Sequence, residues 1–208
     1  MIDSHAHAMD RLFSNAFVCT ASIPSKEEAE TLKGYLFHGV GKLPFTENIE
    51  NLELLEGYLK DGFHLGEVGL DRRYFDVDRQ EEILNTLLDI AIPLDKCVVF
   101  HSVGHTERLL RIIRERKIKR FIIHGYTGSY ETAKTILSLG GLISISERLE
   151  KAKSFEKIIT LPFVTESDMN TGIDAEMSLK RWNSKLSSLL EKDIEMESQR
   201  VLLEYMNG

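Results

Sequence analysis

The sequence predicts an α/β protein of the (β/α)₈ barrel class. Two observations carry this. Eight short β-type runs alternate with longer helical patterns along the chain, and several of the runs are continuously apolar, as in Val98-Val99-Phe100 and Phe121-Ile122-Ile123. Strands buried on both faces read this way, and strand–helix alternation gives parallel strands joined by right-handed crossovers. A doubly wound open sheet produces the same local pattern and is the alternative fold.

The eight runs are Met1–Ser4, Ala16–Ile23, Tyr35–Gly41, Phe63–Leu70, Cys97–His101, Arg120–His124, Gly141–Ser146 and Leu161–Glu166. Ser25 and Glu28 have capping-box spacing before a helix over Glu27–Lys33, and Gly34 stops it. Thr46 precedes Ile49, Leu52, Leu55 and Leu59, one apolar helix face that ends at Gly62. Asp78–Ala91 carries Ile83, Leu84, Leu87 and Leu88. Thr106 is placed to cap Glu107–Arg116, and Ser129 to cap a helix reaching Leu139. Arg148–Ile158 is a weaker helical pattern, and two extra C-terminal helices are expected over Leu179–Leu190 and Met196–Met206.

With 208 residues, 42% hydrophobic and 28% charged, the chain reads as one compact domain over residues 1–208, near the ~200-residue lower limit for such a barrel. The net charge of −7 argues against a surface coated in basic residues for bulk nucleic-acid binding. Phosphates held by metal ions remain compatible with it. Cys19 and Cys97 form no disulfide framework, the N-terminus lacks a charged segment followed by an apolar run, and no stretch approaches the ~20 apolar residues of a membrane span. The expectation is a cytoplasmic protein with no membrane and no evident protein partner.

The strand ends hold the chemistry. The first strand leads into His5-Ala6-His7, the fourth carries Glu67, the fifth and sixth end at His101 and His124, and the eighth runs into Glu166-Ser167-Asp168. Barrel active sites are built at the C-terminal ends of the strands. Residues two apart on a strand share a side, so His5 and His7 can reach one metal. Each histidine alone reads more simply as a satisfied polar residue. Five strand ends with the same pattern read as a metal centre, and four His, one Glu and one Asp suffice for two metals with a bridging carboxylate.

Asp3-Ser4-His5-Ala6-His7, Gly66-Glu67-Val68-Gly69-Leu70-Asp71, His124-Gly125-Tyr126-Thr127-Gly128-Ser129 and Thr165-Glu166-Ser167-Asp168 resemble the motifs of the TatD family of metal-dependent hydrolases and nucleases, within the amidohydrolase superfamily. The resemblance implies a distorted TIM barrel, one or two divalent ions (zinc, manganese or magnesium) and hydrolysis of phosphodiesters in nucleic acid, often as a 3′ to 5′ exonuclease. It implies His5 and His7 as ligands of a first metal, Glu67 as the bridge, His101 and His124 on a second, and Asp168 as a ligand that takes the proton from the attacking water. Glu67 and Asp168 are then the catalytic pair. The chain departs from the family at Gly41-Lys42-Leu43-Pro44 (usually Gly-x-His-Pro), at His101-Ser102-Val103 (usually His-x-Arg) and after Asp168, where Met169-Asn170 stand in place of a nearby proline. These positions surround the substrate more than the metals. Alternatives are an ester, amide or lactone hydrolase using the same centre, and a metal- or ligand-binding barrel without turnover.

Lys42, Arg72 and Arg73 lie in loops on the metal side and are candidates to hold phosphates, against solvated surface charge. His105, in the loop after His101, is a candidate to touch substrate, against a role at the helix start. Ser129 combines a capping role with a helix N-terminus that favours anions. Asp71 is a candidate brace for its loop or for a ligand histidine. His38 and His64 read as structural, Cys19 and Cys97 as buried and inert, and Arg111, Arg114, Arg116, Lys117, Lys119 and Arg120 as a solvated helix face and end.

Overall fold

The computed structural model describes residues 1–7, 10 and 12–208. Eight strands form one parallel sheet in sequence order: β1 (Asp3–Ala6), β2 (Ala16–Cys19), β3 (Phe37–Lys42), β4 (His64–Asp71), β5 (Val98–Val103), β6 (Phe121–Ile123), β7 (Leu142–Ile145) and β8 (Val164–Thr165). The sheet curls until β8 stands beside β1. Ser4 Oγ donates to the Thr165 carbonyl at 2.9 Å, the Asp168 amide donates to the His5 carbonyl at 3.1 Å, and the His7 amide to the Met169 carbonyl at 2.9 Å. The sheet is therefore a nearly closed barrel, not the open doubly wound alternative.

The helices are α1 (Lys26–Leu32), α2 (Leu52–Lys60), α3 (Val77–Ala91), α4 (Thr106–Glu115), α5 (Tyr130–Ser138), the single turn α6 (Phe155–Ile158), and the C-terminal α7 (Gly172–Leu190) and α8 (Ile194–Asn207). Alternation along the strands divides the core. Val18, Val98, Phe100, Phe121 and Ile123 pack outward beneath the helices, whereas Phe17, Cys19, Val99 and Ile122 fill the interior with Leu202 and Met206 of α8. Thus α8 plugs the N-terminal mouth. Its Tyr205 hydroxyl donates to the Gly140 carbonyl at 2.8 Å and accepts from the Phe121 amide at 2.7 Å. The same two-residue period sets His101 above Val99 and His124 above Ile122, so the histidines form the next layer toward the open mouth.

Four expectations are corrected. The helix expected from Thr46 begins at Leu52, after Asn51 in the left-handed region at φ 62°, and Thr46 instead receives Lys42 Nζ. Thr106 does not cap α4: His105 is the N-cap residue with no side-chain bond, and the Thr106 hydroxyl pairs with Ser102 Oγ at 3.0 Å. The pattern over 148–158 resolves into a 3₁₀ segment, Glu147–Lys151, and α6. Helix α7 begins seven residues before Leu179, because Thr171 accepts a hydrogen bond from the Asp174 amide and caps it. The basic helix face is also less free than expected, since Arg111, Arg116 and Arg120 pair with Glu81, Asp89 and Asp95.

Candidate metal centre

At the C-terminal mouth, His5, His7, Glu67, His101, His124 and Asp168 form one continuous cluster. Glu67, at the middle of β4, is almost fully buried and divides its carboxylate. Oε2 lies 3.6 Å from His5 Nε2 and 3.1 Å from His7 Nε2, while Oε1 lies 2.8 Å from His101 Nδ1 and 2.5 Å from His124 Nε2. Asp168 Oδ1 lies 3.8 Å from His5 Nε2 and 3.6 Å from His7 Nε2. Two groups have ligand atoms all within 4.8 Å of one another: His5, Glu67 and His124, and His5, His7 and Asp168.

The backbone delivers these groups by close approach. A Cβ on Gly41 would lie 2.3 Å from the Glu67 carbonyl oxygen and 2.4 Å from its nitrogen, so β3 passes the Glu67 peptide at a distance only glycine permits. Asp168 leaves β8 at φ 57°, in the left-handed region that aspartate tolerates better than most residues.

The charges interlock. Burial raises the Glu67 carboxyl, but the His124 charge and hydrogen bonds from His101 and His124 outweigh it and hold Glu67 well below the usual range. Burial lowers His124, yet Glu67 and Glu166 reverse this and raise it well above an ordinary histidine. His5 is lowered, by burial and by the His124 charge, against Glu67. His7 is raised: burial opposes, and the Glu67 hydrogen bond and the charges of Glu67 and Asp168 prevail. Its Nδ1–H donates to the Cys19 carbonyl at 2.8 Å, which turns Nε2 toward the cluster.

Around the six stand residues that hold them. Asp71 accepts from His101 Nε2 at 2.9 Å and also pairs with Arg73, so it braces both its loop and a histidine. Three further residues support the cluster: Asp3 and Glu166, which lie within the sequence motifs, and Arg148, which lies in none of them. Asp3 is fully buried and accepts from the amides of His5, at 3.1 Å, and Ser167, at 3.0 Å, tying β1 to β8. Burial pushes its carboxyl up to about 7 against those bonds. Glu166 accepts from the Gly125 amide at 2.7 Å and lies 3.7 Å from His124 Nδ1. Arg148 Nη1 donates to Asp168 Oδ2 at 2.6 Å. The burial-prone position of Glu166 beside Asp168 was a usable signal; Arg148, exposed and 20 residues away, gave none.

The candidate substrate residues are more dispersed. Lys42 Nζ donates to the Thr46 hydroxyl at 3.0 Å, and the Arg73 guanidinium is engaged by Asp71. The stem of Arg72 lies against Gly104. His105 precedes α4, and Ser129 Oγ accepts from the Thr132 amide at 3.1 Å, capping α5. His38 rests against Phe63 and His64 against Phe17 and Phe37. Cys19 and Cys97 are free and buried. Among the described residues no helix is long and apolar enough to cross a membrane.

Known proteins resemble this chain in sequence and in fold. An uncharacterized metal-dependent hydrolase of Buchnera aphidicola is 30% identical over 143 residues, covering 64% of this chain and 52% of that protein. One of Methanocaldococcus jannaschii is 34% identical over 95 residues, 46% of this chain and 37% of that one. The chain therefore spans about half the length, or less, of these curated relatives. Among solved structures, a TatD homologue of Escherichia coli K12 superposes with a TM-score of 0.81 at 20% identity, over 97% of this chain and 95% of that one. A TatD family hydrolase of Entamoeba histolytica gives 0.68 at 15% identity, over 81% and 73%. At these identities the likeness shows the fold. The family model described as TatD related DNase matches residues 2–171, and the chain belongs to that family.

Proposed function

We propose that this chain hydrolyses phosphodiester bonds in nucleic acid or a small phosphodiester, using one or two divalent cations held by His5, His7, Glu67, His101, His124 and Asp168. The observation that carries the reading is the divided carboxylate of Glu67, with the β1 histidines at one oxygen and the β5 and β6 histidines at the other. The donor set fits a metal. Both ring nitrogens of His5 are buried without a hydrogen-bond partner, an arrangement that is costly unless something else satisfies them. Mixed imidazole and carboxylate donors suit zinc, manganese or magnesium. The names of the relatives and of the family, metal-dependent hydrolase and DNase, agree with this reading.

Bound cations supply Lewis acidity, which lowers the pKa of water from ~15.7 toward ~7. The chain does the rest. Asp168 accepts the proton of the attacking water, and Arg148 holds its second oxygen in place. His7 and His101 keep their orientation through the Cys19 carbonyl and Asp71. Arg72, just after β4, and Lys42, the last residue of β3, are the candidate cations for the phosphoryl oxygens.

The test is a substrate panel on protein of measured metal content: a single-stranded oligonucleotide, a chromogenic phosphodiester, a carboxylic ester and an amide. Phosphodiester turnover should vanish with a chelator and return with zinc, manganese or magnesium. Full activity after verified metal removal, or turnover of the ester or amide alone, overturns the reading.

A further inference from the structure

Two aromatic side chains stand at the mouth of the barrel where burial gains them little. Phe45 follows β3 and Tyr74 follows β4, both at C-terminal strand ends, and they are 49% and 41% exposed. Their rings are 5.1 Å apart with planes inclined at 59°. Phe45 lines a cavity of about 380 Å³ together with His7, Leu43 and Asn170, so it faces the β1 half of the histidine cluster. Tyr74 is joined to the other half. The Arg73 guanidinium lies 5.9 Å from its ring centroid and is held by Asp71, which in turn receives His101.

We propose that Phe45 and Tyr74 form a stacking subsite for an unpaired nucleobase adjoining the phosphodiester that is cleaved, an inference that rests on the phosphodiesterase reading above. The chemistry is specific to that ligand. A base offers a flat π face to an aromatic side chain whatever its sequence, and its backbone brings the anionic charge that Arg72, Lys42 and the metal-type cluster complement. Bases within a duplex have their faces covered by neighbouring pairs, so the subsite selects single strands. Both side chains keep two-fifths to half of their surface exposed, and the Arg73 guanidinium, paired with Asp71, lies beside Tyr74.

Binding is measured apart from turnover. Metal-loaded protein is titrated with a thymidine decamer and with an abasic decamer of equal charge, both with hydrolysis-resistant phosphorothioate linkages. The wild type should bind the base-bearing strand about tenfold more tightly, the scale of one stacked base. Phe45→Ala and Tyr74→Ala should each remove most of that preference, while Phe45→Tyr and Tyr74→Phe retain it. Circular dichroism and metal content should stay unchanged, because both side chains are two-fifths or more exposed and belong to neither the core nor the histidine cluster. Equal binding of the two decamers by the wild type, or an undiminished preference in both alanine variants, overturns the subsite. A chromogenic methyl phosphodiester without a base separates the two readings. Its turnover without base preference sinks the subsite and leaves the hydrolase. Absence of all phosphodiester turnover sinks the hydrolase, while loss of base preference in the alanine variants still supports the subsite.

Discussion

Glu67 Oε1 lies 2.5 Å from His124 Nε2, and the opposite oxygen of the same carboxylate lies 3.1 Å from His7 Nε2. One side chain therefore joins strands on both sides of the mouth, and its removal should uncouple them. Glu67→Ala is expected to keep the barrel, whose strands pair through backbone bonds, and to lose bound metal and with it activity. Elemental analysis beside circular dichroism checks this. A Glu67→Ala protein with full metal content would show that the histidines and Asp168 suffice and that Glu67 is no bridge.

Asp168 should behave differently. Its Oδ1 faces His5 and His7 while Oδ2 receives Arg148. Asp168→Asn keeps one oxygen for coordination but cannot accept a proton at neutral pH. Most metal should remain, and kcat should fall by ~10²-fold or more, the scale of a lost general base. Metal content and kcat measured on the same preparation decide it: full metal with near-normal kcat would remove the proton-accepting role.

The backbone approach at Gly41 offers a test that touches no ligand. A methyl group there would meet the Glu67 carbonyl at 2.3 Å and the Gly66 carbon at 2.5 Å, both backbone atoms that cannot swing aside. Gly41→Ala should displace Glu67, lowering metal content and destabilising the fold by ~1–3 kcal/mol. Gly57→Ala is the control. Gly57 is exposed within α2 and has open space around it, so alanine should stabilise the helix by about 1 kcal/mol. Thermal melts with metal analysis on both variants compare them. Unchanged metal content in Gly41→Ala would mean that β3 has room to move.

What was legible in the sequence follows from how local each signal is. Strands such as β5 and β6 were readable because burial on both faces demands consecutive apolar residues. The histidines at their ends were readable because a two-residue period fixes which side they take. The segment after Thr46 misled because Ile49 and Leu52 fit a helical face, whereas Asn51 adopts a left-handed conformation that delays the helix start. The early start of α7 follows from the Thr171 cap, and Gly172 is needed there because Asp10 and Leu12 pack where a Cβ would stand. Arg148 had no local signature at all, since its partner lies across the β7–β8 connection.

His64 should carry a stability dependence on pH that is separate from the candidate metal centre. It opens β4 at the plugged end, its ring lies 5.5 Å from that of Phe17 and 6.5 Å from that of Phe37, and its Nδ1 is buried without a partner. Burial, with smaller contributions from Lys96, His38 and Arg120, pushes its pKa down to about 4, against about 6.5 in the unfolded chain. The unfolded state therefore binds a proton first as the pH falls. The folded protein keeps its full stability from this group above about pH 6.5 and loses it progressively as the pH drops toward 4, by about 3 kcal/mol in all. His64→Gln cannot titrate, so this part of the acid sensitivity should disappear from it. Urea unfolding in the presence of a chelator, at several pH values from 7.5 down to 4, gives the comparison, since every other titrating group is common to both proteins. The wild type should lose more stability than the variant over that window. Parallel curves would show that the folded protein accommodates a charged His64, through water or a local opening at the start of β4, and that burial at this position does not hold the ring neutral.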